Sequence, residues 1–245
     1  MANVQSIRIL STRALGEHVV QQFRKNGWYL EMVPMIETKG ILDPALAETF
    51  IYAISIEDSP FMLVLTSLNG VKWLKKGLAE AGHFLPPGIT ALCVGKKSAA
   101  KAAEQLKAVP LLIAPDGKSL LELIKIHIPR ETRLIYACAK SRLDTLPEGL
   151  KNEGYQCLEF PVYETMPAPK MVAGDFNFIL FFSPSAVESY FSLNAWPPGA
   201  QGVCIGDTTA NALRHHGVND ILVPSSPDEN EMVDVIRHFF ELRKN

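Results

Sequence analysis

Residues 86–95 read PPGITALCVG and residues 197–206 read PPGAQGVCIG, so Pro-Pro-Gly, Cys and Gly recur 111 positions later. A second recurrence has a spacing of 127 positions. It relates the stretch from Gly27 to Thr38 to the stretch from Gly154 to Thr165, with matching Gly, Pro and Glu-Thr. Similarity at a fixed spacing indicates repeated structural units. We therefore expect two similar globular domains with a ligand site between them. The connecting segments are expected to absorb the 16 residues by which the two spacings differ.

Length and composition narrow the class of protein. The 245 residues suit two domains of ordinary size, and the net charge of −2 argues against nucleic acid or an anionic membrane as partner. No signal peptide is recognisable, and no apolar run approaches the roughly 20 residues of a membrane span. The four cysteines lie mostly in apolar runs without a CxxC pair. We expect reduced, buried thiols in a cytoplasmic protein.

Apolar strand-like runs alternate with helical patterns along the chain. Strands are predicted at 6–10, 29–36, 61–65, 90–94, 109–113, 133–138, 177–182 and 202–205. Helices are predicted at about 15–25, 69–81, 98–106 and 229–243, and a helical pattern also follows each of the strands from 109–113 onward. This alternation indicates parallel sheets with right-handed crossovers. The predicted fold class is α/β, with two similar doubly wound parallel-sheet domains. The similar segments around 33–38 and 160–165 are extended and are candidates for paired crossings between them.

Small hydroxyl residues and glycines follow the predicted strands. Ligands of doubly wound sheets bind beyond the carboxyl ends of the strands, and the helix N-termini that begin there suit carboxylates or phosphates. The alternative interpretation is ordinary helix capping, with the lysines as solvated surface. The candidate substrate-binding residues are Thr12, Arg13, Thr66, Ser67, Asn69, Gly95, Ser98, Lys140, Arg142, Ser183, Ser185, Ala186, Gly206, Thr208 and Thr209.

Several familiar motifs are missing from the sequence. It contains no GxxxxGK[ST], GxGxxG, HExxH or GxSxG, which gives nucleotide, dinucleotide, zinc-protease and α/β-hydrolase chemistry no support. We expect no cofactor and no metal. The chemistry is then of a kind that positioning and proton transfer can accomplish.

Tyr163 breaks the symmetry of the repeat. The spacing of 127 aligns it with Ile36, so the phenol is present in one copy alone. One interpretation is a half-buried tyrosine with its hydroxyl in water. The other is a phenolic proton donor facing the ligand site.

An ordered set of motifs resembles the uroporphyrinogen-III synthase family. The similar elements are Thr12-Arg13, TSLNGV at 66–71, Val94-Gly95 with Ser98-Ala99, Arg142 with Leu146 and Gly154, VYET at 162–165, FSPSAV at 182–187 and IGDTTA at 205–210. They are spread over nearly the whole chain. Departures are the stretch ACAKS at 137–141, which lacks a usual glycine, Ser98 in place of the commoner threonine, and Phe182 where threonine often stands.

The resemblance implies an activity and an architecture. The family closes hydroxymethylbilane to uroporphyrinogen III, with loss of water and inversion of the last pyrrole ring and without metal or organic cofactor. Its members have two α/β lobes on a two-stranded linker. Here that implies a discontinuous lobe of residues 1–35 plus 166–245, a second lobe of 39–160, and linker strands at about 33–38 and 160–166. Tyr163 becomes the candidate catalytic residue.

The expected partner is a small molecule, a linear tetrapyrrole with eight carboxylates. A monomer is expected, with a transient contact to the enzyme that makes the bilane as a further expectation. Two alternatives remain open at this point. One is a non-catalytic two-lobed protein that binds a tetrapyrrole or another polyanion; the other is an unrelated α/β hydrolase or transferase, disfavoured by the missing motifs.

Overall fold

The computed structural model describes residues 7–56, 60–142 and 145–242. Two compact units divide the chain: residues up to Glu37 together with those from Met166 onward form the first, and Thr38–Thr165 form the second. The elements in chain order are β1 (Arg8–Ser11), α1 (Glu17–Lys25), β2 (Tyr29–Met32), β3 (Ile36–Gly40), α2 (Pro44–Ser55), β4 (Phe61–Leu65), α3 (Leu68–Glu80), β5 (Thr90–Val94), α4 (Lys96–Leu106), β6 (Val109–Ala114), α5 (Gly117–His127), β7 (Arg133–Ala139), α6 (Thr145–Asn152), β8 (Cys157–Pro167), β9 (Phe178–Phe181), α7 (Pro184–Phe191), β10 (Gln201–Cys204), α8 (Asp207–His215), β11 (Ile221–Leu222) and α9 (Glu229–Leu242).

The first unit is a five-stranded parallel sheet in the order β11-β10-β9-β1-β2. Successive side chains of a strand point to opposite faces, and both faces are covered. Ile9 packs in a core with α1 and α9, whereas the next residue, Leu10, packs in a core with α7 and α8. This is the doubly wound arrangement that the alternation of strands and helices predicts.

The second unit repeats this plan with one more strand. Its sheet has the order β3-β8-β7-β4-β5-β6. Leu63 and Leu65 of β4 pack in a core that includes residues of α2, α3 and α4, and Val64 packs on the other face in a core with α5 and α6. The chain passes between the units within β3 and again within β8.

The sheet orders explain why the repeat has two spacings. Strands β2, β1, β9, β10 and β11 occupy the places of β8, β7, β4, β5 and β6. The spacing of 127 relates β1-α1-β2 to β7-α6-β8, where the first unit's copy comes earlier in the chain. The spacing of 111 relates β5-α4 to β10-α8, where the second unit's copy comes earlier. The units are therefore circular permutants, and the two spacings are independent rather than reconciled by the connecting segments.

Two details differ from the sequence expectation. The extended stretch expected around 29–36 is divided: β2 ends at Met32 and β3 begins at Ile36, although the N–H groups of Val33 and Met35 still donate to the carbonyl oxygens of Ser11 and Thr12. Helix α2 was not predicted. It begins at Pro44 after Asp43, whose Oδ1 accepts a hydrogen bond from the Leu46 N–H at 2.8 Å. No helix within the described ranges is long and apolar enough to cross a bilayer.

Candidate functional site

The carboxyl ends of β4 and β7 lie side by side in the second unit. These strands pair in parallel, with Leu65 opposite Ala137. They are also the point where the strand order reverses, because β5 and β6 extend the sheet on one side of β4 whereas β7 and β8 lie on the other. Ligands of doubly wound sheets bind at such switch points.

Two tyrosine–hydroxyl pairs lie at this point. Tyr136 Oη and Thr66 Oγ1 are 2.9 Å apart, and Tyr163 Oη and Ser67 Oγ are 3.1 Å apart. Both tyrosines are buried, with 4% and 8% of their surface exposed. Burial raises the pKa of Tyr136, which keeps this phenol protonated. The hydroxyl of Tyr163 contacts Ser67 and the residue is buried, whereas one interpretation of the sequence was a half-buried tyrosine with its hydroxyl in water.

A cavity of about 530 Å³ opens beside these tyrosines, within the second unit. Its walls come from five strands and the segments that follow them. They comprise Thr66 after β4, Val94 at the end of β5, residues 115–118 after β6, residue 139 at the end of β7 with 141 and 142 after it, and Tyr163 within β8, with Tyr136, Thr145 and Leu146 completing the lining. Of the sequence-predicted site residues, the structure thus brings Thr66, Arg142 and Tyr163 together at one cavity. Ser67, Asn69, Gly95, Ser98 and Lys140 belong to the same unit but are not part of this wall.

The two cations that follow β7, Arg142 in the cavity wall and Lys140 outside it, pair with carboxylates of β8. Arg142 forms an ion pair with Glu159 of β8, and Lys140 Nζ lies 3.3 Å from Glu164 Oε2. Asp116 caps α5, and the hydrogen bond from the Ser119 N–H at 2.8 Å, reinforced by the charge of Lys118, lowers the pKa of this carboxyl. The cavity wall thus carries two cations, Lys118 and the Glu159-paired Arg142, and one carboxylate, Asp116, so a ligand carboxylate there meets groups of both signs.

The remaining candidates of the second unit occupy helix starts. Gly95 has φ +79° directly before α4, a conformation that favours glycine. Ser98 is buried in the first turn of that helix, and Asn69 lies in the first turn of α3. Their substrate contacts stay predictions.

The first unit has its own set of residues at the ends of β1 and β9. Thr12 is fully buried, and its hydroxyl donates to the Leu180 carbonyl at 2.7 Å. Ser183 caps α7, accepting from the Ala186 N–H at 3.2 Å, and its Oγ lies 3.0 Å from Ser185 Oγ. The buried Ala186 contributes its backbone N–H to this cap. Thr12 thus has a structural bond between neighbouring strands, while Ser185 is exposed.

Arg13 and helix α8 complete the set in the first unit. The Arg13 guanidinium pairs with Glu229 and stacks 4.0 Å from the ring centroid of Phe182. Gly206 precedes α8 without a side-chain cap; Thr208 is exposed and Thr209 is buried in its first turn. The role of each in binding stays a prediction.

Sequence reasoning missed two parts of the cavity wall. Tyr136 looks like an ordinary core residue in the middle of an apolar strand, although it is the one hydroxyl-bearing residue of β7. Asp116 and Lys118 follow β6. The strand-end rule that found Thr66 also applies to β6 and would have found them.

The site offers few residues for other chemistry. Within the described ranges, no three His, Cys, Asp or Glu side chains cluster in a way that could hold a metal ion. The four cysteines are free, and burial raises the pKa of Cys93 and Cys138 to about 11 and of Cys157 and Cys204 to about 12. These thiols are therefore poor nucleophiles.

The family model for uroporphyrinogen-III synthase HemD matches residues 17–234. The chain belongs to the uroporphyrinogen-III synthase family. The family is one of tetrapyrrole biosynthesis, and the match spans most of both units. The resemblance noted in the sequence is thereby confirmed.

Solved structures of this family share the fold. A mutant uroporphyrinogen III synthase from the extremely thermophilic bacterium Thermus thermophilus is 20% identical, with a TM-score of 0.57 over 98% of this chain and 100% of that one. Uroporphyrinogen-III synthetase from Helicobacter pylori is 15% identical, with a TM-score of 0.62 over 95% and 99%. The α/β architecture with parallel sheets is confirmed by these likenesses. A comparison with curated protein sequences gave no significant match.

Proposed function

We propose that this protein is a uroporphyrinogen-III synthase, a lyase that closes hydroxymethylbilane to uroporphyrinogen III with loss of water and inversion of the last pyrrole ring. The observation that carries the proposal is the Tyr163 phenol, which is buried, bonded to Ser67 and part of the wall of a 530 Å³ cavity at the strand ends. A phenol in this position can deliver a proton to a group held in the cavity.

The first step is departure of the hydroxyl group from the hydroxymethyl carbon of the substrate. The Tyr163 phenol gives its proton to this oxygen while the carbon–oxygen bond breaks and its electron pair leaves with the oxygen as water. The nitrogen of the pyrrole ring that carries this carbon supplies electrons to it as the hydroxyl leaves. The same nitrogen gives up its proton, which neutralises the phenolate. Water and an electrophilic azafulvene result, and the balance needs no oxidant or reductant.

The second step is ring closure at the substituted carbon of the last ring, through a spiro intermediate that fragments and recloses. Closure at the free carbon occurs without an enzyme and gives the type I isomer, so the protein's task is to hold the chain in one geometry. We propose that holding the substrate in this geometry requires the protein's own residues and no metal or cofactor. No single side chain is then indispensable.

Binding of the substrate depends on its eight carboxylates. Arg142 and Lys118 in the cavity wall suit this charge. Most of the other sequence-predicted binding residues lie at the starts of α3, α4, α7 and α8, where free N–H groups favour anions; Thr12, Arg13 and Lys140 follow the strands β1 and β7. A cytoplasmic location, a monomeric state and a transient contact with the enzyme that makes the bilane stay predictions.

An isomer assay tests the proposal. Hydroxymethylbilane is supplied to the purified protein, the product is oxidised, and the ratio of type III to type I porphyrin is measured by chromatography. We expect predominantly type III product, and the same incubation without protein, as control, should give type I. Type I product alone from folded protein would overturn the proposal; tight binding of the bilane in that case would identify a non-catalytic binding protein instead.

A further inference from the structure

A chain of hydrogen bonds connects helix α3 to the cavity. The Gly70 N–H, in the first turn of α3, donates to Ser67 Oγ at 2.9 Å, and Ser67 Oγ lies 3.1 Å from Tyr163 Oη. Tyr163 lines the cavity and Ser67 does not. Ser67 therefore contacts the phenol without being part of the cavity wall.

The proton inventory of Ser67 restricts what it can do. A serine hydroxyl has one proton and two lone pairs, and one lone pair is used by the Gly70 N–H. If Ser67 donates its proton to Tyr163 Oη, the phenol proton is left to point into the cavity. If the bond runs the other way, the phenol proton is held by Ser67. The positive end of the α3 dipole favours the first arrangement, because it repels a proton directed toward the helix start.

The first unit shows that capping by itself does not require a phenol. Ser183 caps α7 through the Ala186 N–H as Ser67 caps α3, but its second partner is Ser185 Oγ at 3.0 Å. The position that the repeat aligns with Tyr163 holds Ile36 in that copy. The contact between cap and phenol is thus an addition to the repeated structure in the second unit.

We propose that Ser67 is a positioning residue for the proton transfer, donating its hydrogen bond to the phenol oxygen of Tyr163. This bond turns the phenol proton toward the cavity. It also stabilises the phenolate that remains after the proton has left, because a donated hydrogen bond favours the charged form. The inference rests on the proposed function, and it moves Ser67 from the group of substrate-binding candidates to a role in positioning the acid.

Three substitutions separate the donor from the cap. Ser67→Thr keeps both the cap and the proton. Ser67→Ala removes both. Ser67→Asp keeps a good cap but has no proton to donate, and it accepts the phenol proton instead. We expect kcat within about 2-fold of the original protein for Thr, and about 3- to 10-fold lower for Ala, the size of one neutral hydrogen bond. The Ser67→Asp variant should lose at least as much kcat as Ser67→Ala, while its melting temperature should be no lower than that of Ser67→Ala.

A double-mutant cycle with Tyr163→Phe gives the deciding measurement. If Ser67 acts through the phenol, Ser67→Ala should change kcat by less than about 2-fold once Tyr163 is Phe. A purely structural role would slow both backgrounds equally, and that result would overturn the inference, as would an Asp variant with unchanged kcat. Tyr136→Phe is the matched control: it removes the neighbouring tyrosine–hydroxyl bond to Thr66, and the effect of Ser67→Ala should persist in that background.

The two proposals fail in different ways. If the original protein makes only type I product, the proposed function fails. If it makes type III product and the effects of Ser67→Ala and Tyr163→Phe are additive, the synthase activity stands and the role of Ser67 fails.

Discussion

At the scale of single residues, the acid step depends on Tyr163. Replacing it by Phe removes the proton and the bond to Ser67 while keeping a ring in a position that is 8% exposed. We expect turnover to fall roughly 10- to 100-fold, at or below the usual contribution of a general acid. Initial rates of type III formation measure this, with the melting temperature as a check on folding. An unchanged rate would remove Tyr163 from the mechanism.

Arg142 tests the charge of the cavity wall. Arg142→Gln removes a guanidinium that lines the cavity, and we expect KM to rise about 10-fold, the size of one charge-assisted hydrogen bond. The effect should shrink as ionic strength increases, since salt screens the attraction. Arg130→Gln, which also breaks an ion pair of the second unit, with Glu153, is the matched control and should leave KM unchanged. A KM of Arg142→Gln no higher than that of Arg130→Gln would exclude Arg142 from substrate binding.

At the scale of elements, helix α2 is held at its end by a buried arginine. Arg133 of β7 is 4% exposed, and its guanidinium donates to the carbonyl oxygens of Ala53 and Ile56, where α2 ends. The last carbonyls of a helix have no partner within it. The side chain of a strand residue thereby satisfies part of the helix end.

Arg133→Met should therefore destabilise the protein. We expect the free energy of unfolding to fall by about 2 to 4 kcal/mol, because the buried carbonyl of Ala53 and the partly buried carbonyl of Ile56 lose their donor. Urea unfolding followed by circular dichroism measures the change. Arg130→Met, in which the lost side chain is well exposed and its ion pair lies at the surface, should change the value by less than about 1 kcal/mol. Similar losses for the two variants would contradict the capping role.

At the scale of the whole molecule, the second unit is one continuous segment. Thr38–Thr165 contains a six-stranded sheet with a core on each face. We expect this fragment, expressed alone, to unfold cooperatively on heating, with the circular dichroism of an α/β protein. The fragment Met166–Asn245 is the control, since it lacks β1, the neighbour of β9, and should show no cooperative transition. If the fragment 38–165 shows no cooperative transition, its two cores do not suffice for folding without the rest of the chain.

The sequence predicted strands best where both faces are buried. Strands β4 and β5 have the predicted bounds, since apolar runs of five residues, such as 61–65, have the length of a buried strand and are too short for a typical helix. Part of the cavity wall could be predicted: the strand-end rule gave Thr66 and Arg142, and the broken repeat gave Tyr163, which all line it. The Arg142–Glu159 pair could not be predicted, because it depends on the register that places Glu159 opposite Tyr136 in neighbouring strands. Nor could Tyr136, whose role depends on what lies beside it.

The circular permutation of the two units has a consequence for synthesis on the ribosome. Ile9 pairs with Phe178, 169 residues further along the chain. Until then β1 has only β2 beside it, and it waits roughly 8 to 34 s for its second neighbour at about 5 to 20 residues per second. Meanwhile the whole of Thr38–Thr165 emerges and has every strand of its own sheet. The nascent protein then consists of a finished domain preceded by the unmatched apolar faces of β1 and α1. A chaperone that holds such segments would have its binding site in the first 32 residues.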